Sequence, residues 1–386
     1  MSSIETLRVG IVKRVLTIYR RPFFERLASQ PNLEVSVFAG QPQRGEAVQV
    51  ENTLDKGKVF PATNHHWQSP AGLLCWQSGL RDWLRSYDPQ VLVMEASPRM
   101  LSHWFAIDWM HRRRRPVLGW GLGELERSGP IWFQKVRQAF AWRLIRSFDA
   151  MIAYSSKAKN DYIAAGVPED GVFIAYNSID NSESEMYLAK LGGRMDWVRP
   201  WKESLNLLPD LPIILFVGRL IPQKRVDLLI RACSPLFDHC QLLIVGDGPL
   251  RVELENQAKP FGNKVCFVGH QVGEMLARCF IGSDIFVLPG AGGLAMHQAM
   301  SYGKPVIVSF GDGTEADLAR DGQNGYFFRL GSEEDLRAKI ELLLHSPDRI
   351  RQFGQVSLTL IQSEINLDAM VRSFLQAFDY VKHCYQ

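Results

Sequence analysis

Short apolar runs alternate with amphipathic stretches along almost the whole chain. In the N-terminal half, LRVGIVK predicts a first strand and PFFERLASQ the helix after it. LEVSVFAG predicts a second strand, apolar at alternate positions at its start. Residues 71–87 have apolar positions at helical spacing and predict a helix. QVLVM predicts a buried strand, residues 99–112 a helix, PVLGWG a strand and residues 131–147 a long amphipathic helix. DAMIAY and GVFIAYN are further short strands around the helix SSKAKNDYIAAG. Strands that alternate with helices imply a parallel sheet covered on both faces.

The alternation is clearest between Leu211 and Val308. LPIILFVGRLIPQKRVDLLIRAC is a strand that ends at Val217, followed by a helix. CQLLIVGDGPLRVELENQA is a strand closed by the turn Gly246–Pro249. VCFVGH and SDIFVLPGAGGLAMHQAMSYGKPVIVS add a strand ending before His270, then a buried strand, a glycine-rich turn, a helix and another buried strand.

Between the two halves, NSIDNSESE is polar and turn-rich, and WVRPWKESLNLLPDLP has three prolines and no strand pattern. This predicts an N-terminal Rossmann-like domain over 1–190 and a second over 205–365. Residues 366–386 predict a helix that crosses back to the first domain. At 386 residues the chain is too long for one compact core, so two doubly wound α/β domains are expected.

Parallel strands bring their carboxyl ends to one edge, where α/β proteins bind ligands. In the second domain that edge carries Gly218, Arg219 and Lys224 after one strand, and Gly290, Gly292, Gly293 and Leu294 after another. A guanidinium fork and a point-charge ammonium suit a diphosphate. Glycine amides at a helix start can approach phosphate oxygens closely. The alternative is a pair of solvated charges and a tight turn. A cation at a helix N-terminus opposes the helix dipole, however, and an anion beside it would resolve that conflict. Gln298, about one turn into the same helix, offers an amide to a ribose hydroxyl. His270 is a further donor-side candidate. His297 reads as packing or a surface imidazole, and Gly246–Pro249 as a structural turn.

In the first domain Tyr19, Arg20 and Arg21 follow the first strand, Glu95 ends a buried strand, Glu124 and Glu126 follow another, and Asn177 closes the last. Tyr19, Arg20, Glu95, Glu124 and Asn177 are the acceptor-side candidates, although edge carboxylates are commonly just solvated.

Charge changes the picture. The net charge of +3 conceals an uneven distribution: residues 1–160 carry 23 Lys and Arg against 13 Asp and Glu. A basic half suggests an anionic partner. The run from His111 to Arg115, near Trp104 and Trp109, is either a solvated helix end or a patch facing an anionic membrane. No nucleic-acid-binding motif and no aromatic–basic repeat is present, so nucleic acid is not expected. The six cysteines form no CxxC pair, no apolar run approaches the roughly 18 residues of a membrane span, and the start lacks an apolar signal core. A cytoplasmic protein, with an option of peripheral contact on the inner face of the membrane, is expected. There is no Walker A lysine motif, no HExxH and no DxD pair, so neither a metal nor another cofactor is expected.

FVGRLIPQKRVDLLIRA, IVGDGP, VCFVGH, DIFVLP…QAMSYGKPVIVS and DGQNGYFF stand in an order that resembles the GT-B glycosyltransferases, specifically glycosyltransferase family 4. IYRRPFFERLA, AYSSKAKNDYIAAGV and YNSID match more loosely. The resemblance implies two Rossmann-like domains facing a central cleft, a nucleotide-sugar donor and a retaining transfer to a carbohydrate or lipid-linked acceptor. It also implies roles for Arg219 and Lys224 on the leaving diphosphate. The chain departs from the family pattern of two glutamates with seven residues between them. Gln298 stands at the second, which contacts ribose, and Gly290 at the first, which contacts the donor sugar. A first-domain histidine of the family is replaced within Gly119-Trp120-Gly121.

Overall fold

A computed structural model describes residues 6–43, 46, 48–69, 72–123, 131–193, 195–311 and 313–385. The chain divides into two units: residues 1–179 with 367–386, and residues 180–366. The division falls at Asp180, where the polar, turn-rich stretch begins. The polar, proline-bearing stretch after it is helical, with Ser182–Tyr187, a π-helical turn Leu188–Gly192, and Val198–Ser204.

The N-terminal unit has strands β1 (Leu7–Val15), β2 (Leu33–Gly40), β3 (Lys58–Pro61), β4 (Thr63–Ser69), β5 (Gly72–Ser78), β6 (Val91–Glu95), β7 (Val117–Gly121), β8 (Ala150–Ala153) and β9 (Val172–Ile174). Seven of them form one sheet in the order β3-β2-β1-β6-β7-β8-β9. Every pairing in it is parallel. The order reverses between β1 and β6, which makes that point a topological switch.

Strands β4 and β5 correct the helix expected over 71–87. They form an antiparallel hairpin, and only Leu80–Tyr87 is helical. Leu73, Trp76, Leu80, Trp83, Leu84 and Tyr87 fit a helical period. Gly79, at φ +86°, breaks the chain between strand and helix. Within β5 the alternation decides the outcome, since Cys75 and Gln77 are buried while Trp76 is exposed.

One face of the large sheet buries Val9, Ile11, Val91, Val93, Leu118 and Trp120 against Phe23 and Phe24 of the helix Arg21–Ala28. The terminal helix Leu367–Tyr385 completes this core. Met370, Phe374, Ala377, Phe378 and Val381 recur at helical spacing and are buried there. The Phe374 ring stands 4.8 Å from Phe23 and 5.0 Å from Trp120. Burying one such ring contributes about 1.5–3 kcal/mol.

The second unit has β10 (Ile213–Val217), β11 (Gln241–Val245), β12 (Val265–Gly269), β13 (Ile285–Leu288), β14 (Val306–Val308) and β15 (Gly325–Phe327). They form a wholly parallel sheet in the order β12-β11-β10-β13-β14-β15. Its strands are apolar on both faces, as a sheet sandwiched between helices requires. The order reverses between β10 and β13. Among the described residues no helix is long and apolar enough to cross a membrane.

Candidate functional site

The switch point of the second sheet carries the predicted donor residues. Strand β10 ends at Val217, and Gly218 and Arg219 leave its carboxyl end. A short 3-10 turn, Pro222–Lys224, precedes the helix Val226–Cys233. From the neighbouring strand β13 the chain passes through Pro289 to Gly293 into the helix Leu294–Ser301. The two connections touch through their backbones. The Ala291 amide donates to the Gln223 carbonyl at 2.9 Å. A Cβ on Gly290 would lie 2.1 Å from that same oxygen. Gly290 is therefore a packing glycine, and its position leaves no room for a side chain.

Lys224 reaches across this contact. Its ammonium donates to the Ala291 carbonyl at 2.7 Å and to the Gly292 carbonyl. The charge is thus held against the glycine turn. Neither the Gly292 nor the Gly293 amide donates to a described residue, so two N–H groups lie beside the ammonium at a helix start. Arg219 is exposed, and its guanidinium makes no hydrogen bond or ion pair with a described residue. Gln298 is half-buried, its side-chain amide likewise unbonded, while its backbone carbonyl accepts from the Ser301 hydroxyl at 2.7 Å.

The turn Gly246–Pro249 braces Arg219 from behind. Gly246 has φ +133°, and a Cβ there would come within 1.9 Å of the Gly218 carbonyl oxygen. The Leu220 amide donates to the Asp247 carbonyl at 2.9 Å, and the Leu250 amide to the Leu220 carbonyl at 3.1 Å. His270 is exposed on the same edge, but it follows β12, the outer strand, with β11 between β12 and β10. The structure does not bring it to the glycine turn. His297 is fully buried, and its Nε2 lies 3.0 Å from the Ile365 carbonyl, so it packs and does not face a ligand.

A residue without a sequence signal stands behind the turn. Glu315 is fully buried and accepts from the Gly313 amide at 2.9 Å. A Cβ on Gly311 would come within 2.6 Å of its Oε1 and 2.9 Å of the Ala291 Cα. Gly311 is wedged between that carboxylate and the glycine turn.

In the N-terminal sheet the switch point is occupied by an ion pair. Lys13 on β1 and Glu95 on β6 meet at 2.5 Å, and Glu95 is in register with Trp120 on β7. The Lys13 ammonium also sits 4.5 Å from the Trp120 ring centroid. Burial alone would raise the Glu95 carboxyl and lower the Lys13 ammonium. The opposite charge outweighs burial in both, so Glu95 stays below its usual range and Lys13 above. His103 places Nδ1 3.0 Å from the Glu95 carbonyl, and burial pushes its imidazole down to about 4. Lys13 was missed in the sequence reading. Its signal is a charge at an inward position of β1, after Val9 and Ile11.

The acceptor-side candidates divide. Arg20 is buried, with its guanidinium 5.6 Å from the Trp120 ring and 5.2 Å from the Tyr154 ring. It donates to the Ser178 carbonyl at 3.3 Å and to the Asn177 side chain. Arg20 and Asn177 therefore bond each other instead of standing open at the edge. Arg21 is paired with Glu25, Glu51 and Asp55. Tyr19 is 46% exposed. Glu124 and Glu126 lie outside the described residues.

The basic run near Trp104 and Trp109 is a closed helix end. Trp109 is buried under the Arg113 guanidinium at 3.7 Å, Arg112 pairs with Asp108 at 2.9 Å, and Arg115 with Asp88 at 2.5 Å. Trp109 is therefore covered within the fold.

Residues 198–357 match the family model for glycosyl transferases group 1. An uncharacterized glycosyltransferase of Methanocaldococcus jannaschii is 28% identical over 226 residues, covering 54% of this chain and 55% of that protein. A sulfoquinovosyl transferase of Arabidopsis thaliana is 26% identical, covering 58% of this chain and 44% of its own. The chain thus spans about half the length of these curated relatives. Over 97% of its length it superposes on all of Anabaena HepE in complex with UDP, at TM-score 0.70 and 16% identity, a likeness of fold. With two parallel sheets of this topology, the chain has the GT-B fold, and its residues 198–357 match the glycosyl transferases group 1.

Proposed function

We propose that the chain is a retaining glycosyltransferase that moves a sugar from a UDP- or GDP-sugar to a carbohydrate or lipid-linked acceptor, in polysaccharide or glycolipid biosynthesis. One observation carries this reading: the Lys224 ammonium and the unbonded Gly292 and Gly293 amides share one turn at a topological switch point. Exposed Arg219 leaves the adjacent strand. Two cations and two amides suit a diphosphate, and UDP is the ligand in the Anabaena structure of like fold.

In the reaction the bond between the anomeric carbon and the β-phosphate oxygen breaks, and its electron pair leaves with the diphosphate. Arg219 and Lys224 stabilise the charge that develops there. The acceptor hydroxyl oxygen bonds the anomeric carbon on the same face, and its proton passes to an oxygen of the departing phosphate. No metal is needed in this scheme, because the two side chains supply the positive charge. Gln298 bonds the ribose. The protein would work in the cytoplasm, in peripheral contact with the inner face of an anionic membrane.

The test is incubation with UDP- and GDP-sugars and lysate-derived acceptors, followed by assay of released nucleoside diphosphate and of the product's anomeric configuration. Release that depends on acceptor, with retained configuration, supports the reading. Tight nucleotide binding with no turnover of any donor favours a second one, a nucleotide-sugar-binding protein without transferase activity. The packing of Gly290 against Gln223, which leaves no carboxylate for the sugar, favours that alternative.

A further inference from the structure

The hairpin of β4 and β5 turns an aromatic face outward. Thr63, His65 and Trp67 are exposed along β4, and Trp76 is exposed on β5, while Cys75 and Gln77 on either side of it are buried. His65 is in register with Trp76 and Trp67 with Leu74, so the two tryptophans stand diagonally across the pair, about 7–8 Å apart. They are 50% and 40% exposed. The His65 ring stacks on Trp67 at 6.3 Å and 27°, and its Nε2 lies 3.0 Å from the Ser78 hydroxyl. Two indoles, an imidazole and hydroxyls thus share one face. That face is fixed to the ligand edge of the first sheet. The Asn64 side-chain amide donates to the Arg14 carbonyl at 2.8 Å and to the Gln41 carbonyl at 2.7 Å, at the carboxyl ends of β1 and β2. The buried Gln77 amide donates to the Lys13 carbonyl at 3.0 Å. Cys75 is tied through its backbone to Arg99 and Leu101, in the segment that follows β6. The hairpin therefore rises from the same edge as Glu95.

The chemistry of the face narrows the occupant. Residues 59–80 contain no Asp, Glu, Lys or Arg, within a half of the chain that is otherwise strongly basic. An anionic ligand or surface finds no cation on the hairpin itself. The six described outward side chains fall far short of the roughly 20–30 residues a side of a stable protein interface, which argues against a folded partner or a second copy. A pyranose ring fits what is left. Its axial C–H groups form an apolar face that packs on the negative face of an indole, and the hydroxyls around its rim can bond His65, Thr63 and Ser78. Tryptophans with few rotatable bonds give such contacts at little cost in conformational freedom.

We propose that Trp67, Trp76 and His65 form a platform for a neutral oligosaccharide, which holds the chain of a glycan acceptor on the N-terminal unit. This rests on the transferase reading above and narrows its acceptor to a chain of several uncharged sugar units. Sugar binding needs neither donor nor turnover, so either reading can fail alone.

The experiment is calorimetric titration of the full chain, without nucleotide, with maltohexaose, cellohexaose and mannohexaose, and with hexagalacturonate as the charged counterpart. Variants are W67A, W76A, W67A/W76A and, as a control at an exposed aromatic elsewhere in the unit, F140A. Each variant is checked by thermal melting and by UDP titration. At least one neutral hexasaccharide is expected to bind, and hexagalacturonate more weakly. Each single tryptophan variant should weaken binding about three- to tenfold, one aromatic contact at a time, and the double variant more. Melting, UDP affinity and the F140A control should be unchanged. Sugar binding in a protein that takes no UDP would keep the platform and sink the donor site. The proposal is overturned if no neutral hexasaccharide binds at about 10 mM, weaker than any useful affinity. It is overturned too if hexagalacturonate binds as tightly, or if W67A/W76A binds like the parent. A dimer in sedimentation velocity that W67A/W76A dissolves would also overturn it and make a second copy the occupant.

Discussion

The Gln223 carbonyl oxygen lies where a side chain on Gly290 would begin, 2.1 Å from the position of its Cβ. Backbone that close cannot admit even a methyl group without moving. Gly290→Ala should therefore destabilise the second unit by roughly 1–3 kcal/mol, the usual cost of overpacking. Because the same turn carries the Gly292 and Gly293 amides, UDP affinity should fall with it. Urea denaturation and calorimetric titration read the two effects. Unchanged stability would mean that the turn relaxes freely and that glycine is not required there.

Arg219 and Lys224 should differ in a way that a shared phosphate role alone does not demand. Each alanine variant is expected to weaken nucleoside diphosphate binding by about 1.5–3 kcal/mol, one charge-assisted bond. Lys224→Ala also removes the bonds to the Ala291 and Gly292 carbonyls, so its melting temperature should drop. Arg219→Ala, at an exposed side chain with no partner among the described residues, should melt like the parent. Full affinity in both variants would remove the phosphate assignment.

Gln298→Ala should weaken UDP or GDP binding by roughly the 0.5–1.5 kcal/mol of a neutral hydrogen bond. The matching 2′,3′-dideoxy nucleotide lacks the partner hydroxyls, so its affinity should barely change. The four affinities form a cycle that isolates the contact. Equal losses with both ligands would make Gln298 a residue that only supports its helix.

Transfer should survive chelation. The positive charge at the diphosphate comes from side chains, and the sequence has no DxD pair to hold a bridging metal. Activity measured with and without EDTA is expected to agree within error. Loss on chelation that magnesium or manganese restores would show that the site needs an ion.

His103 makes stability fall with pH on the acid side. The unfolded chain takes up the imidazole proton near 6.5, and the folded chain only near about 4. Between those values the unfolded state binds more protons, so stability declines as pH drops, by about 3 kcal/mol across the window. Glu95 stays ionised below its usual value beside Lys13, so that pair is lost only at lower pH. Denaturation midpoints at pH 7 and pH 5 for wild type and His103→Leu check this. An identical pH slope in the variant would assign the acid sensitivity elsewhere.

The second sheet was legible because its strands are short apolar runs, those of β10, β11 and β12 closed by a glycine, with helical stretches between them. Arg219, Lys224 and the glycine turn could be placed on one edge from sequence order alone, since parallel strands share their carboxyl ends. The hairpin was not legible. Its Leu73 and Trp76 stand at helical spacing from Leu80 and Trp83, and only pairing with β4 shows the two-residue period. Arg20 read as an open acceptor-side residue because sequence cannot show that Trp120 and Tyr154 cover it. The basic run could be read either as a solvated helix end or as a membrane patch, because the fold of Arg113 back over the Trp109 ring leaves no mark in composition. Glu315 had no pattern to announce it: an acid after a loop is ordinary until burial is known.

The N-terminal core closes on a helix made after the second unit. Phe374 and Phe378 fill the space between Phe23, Phe24 and Trp120, yet residues 180–366 are synthesised in between. On the ribosome, the sheet that is translated first must wait with an open apolar face while the whole second unit emerges and folds. Its closure then depends on a segment delivered from far along the chain, so of the two units the one made earlier is the later to finish, and its open face is exposed to wrong partners in the meantime.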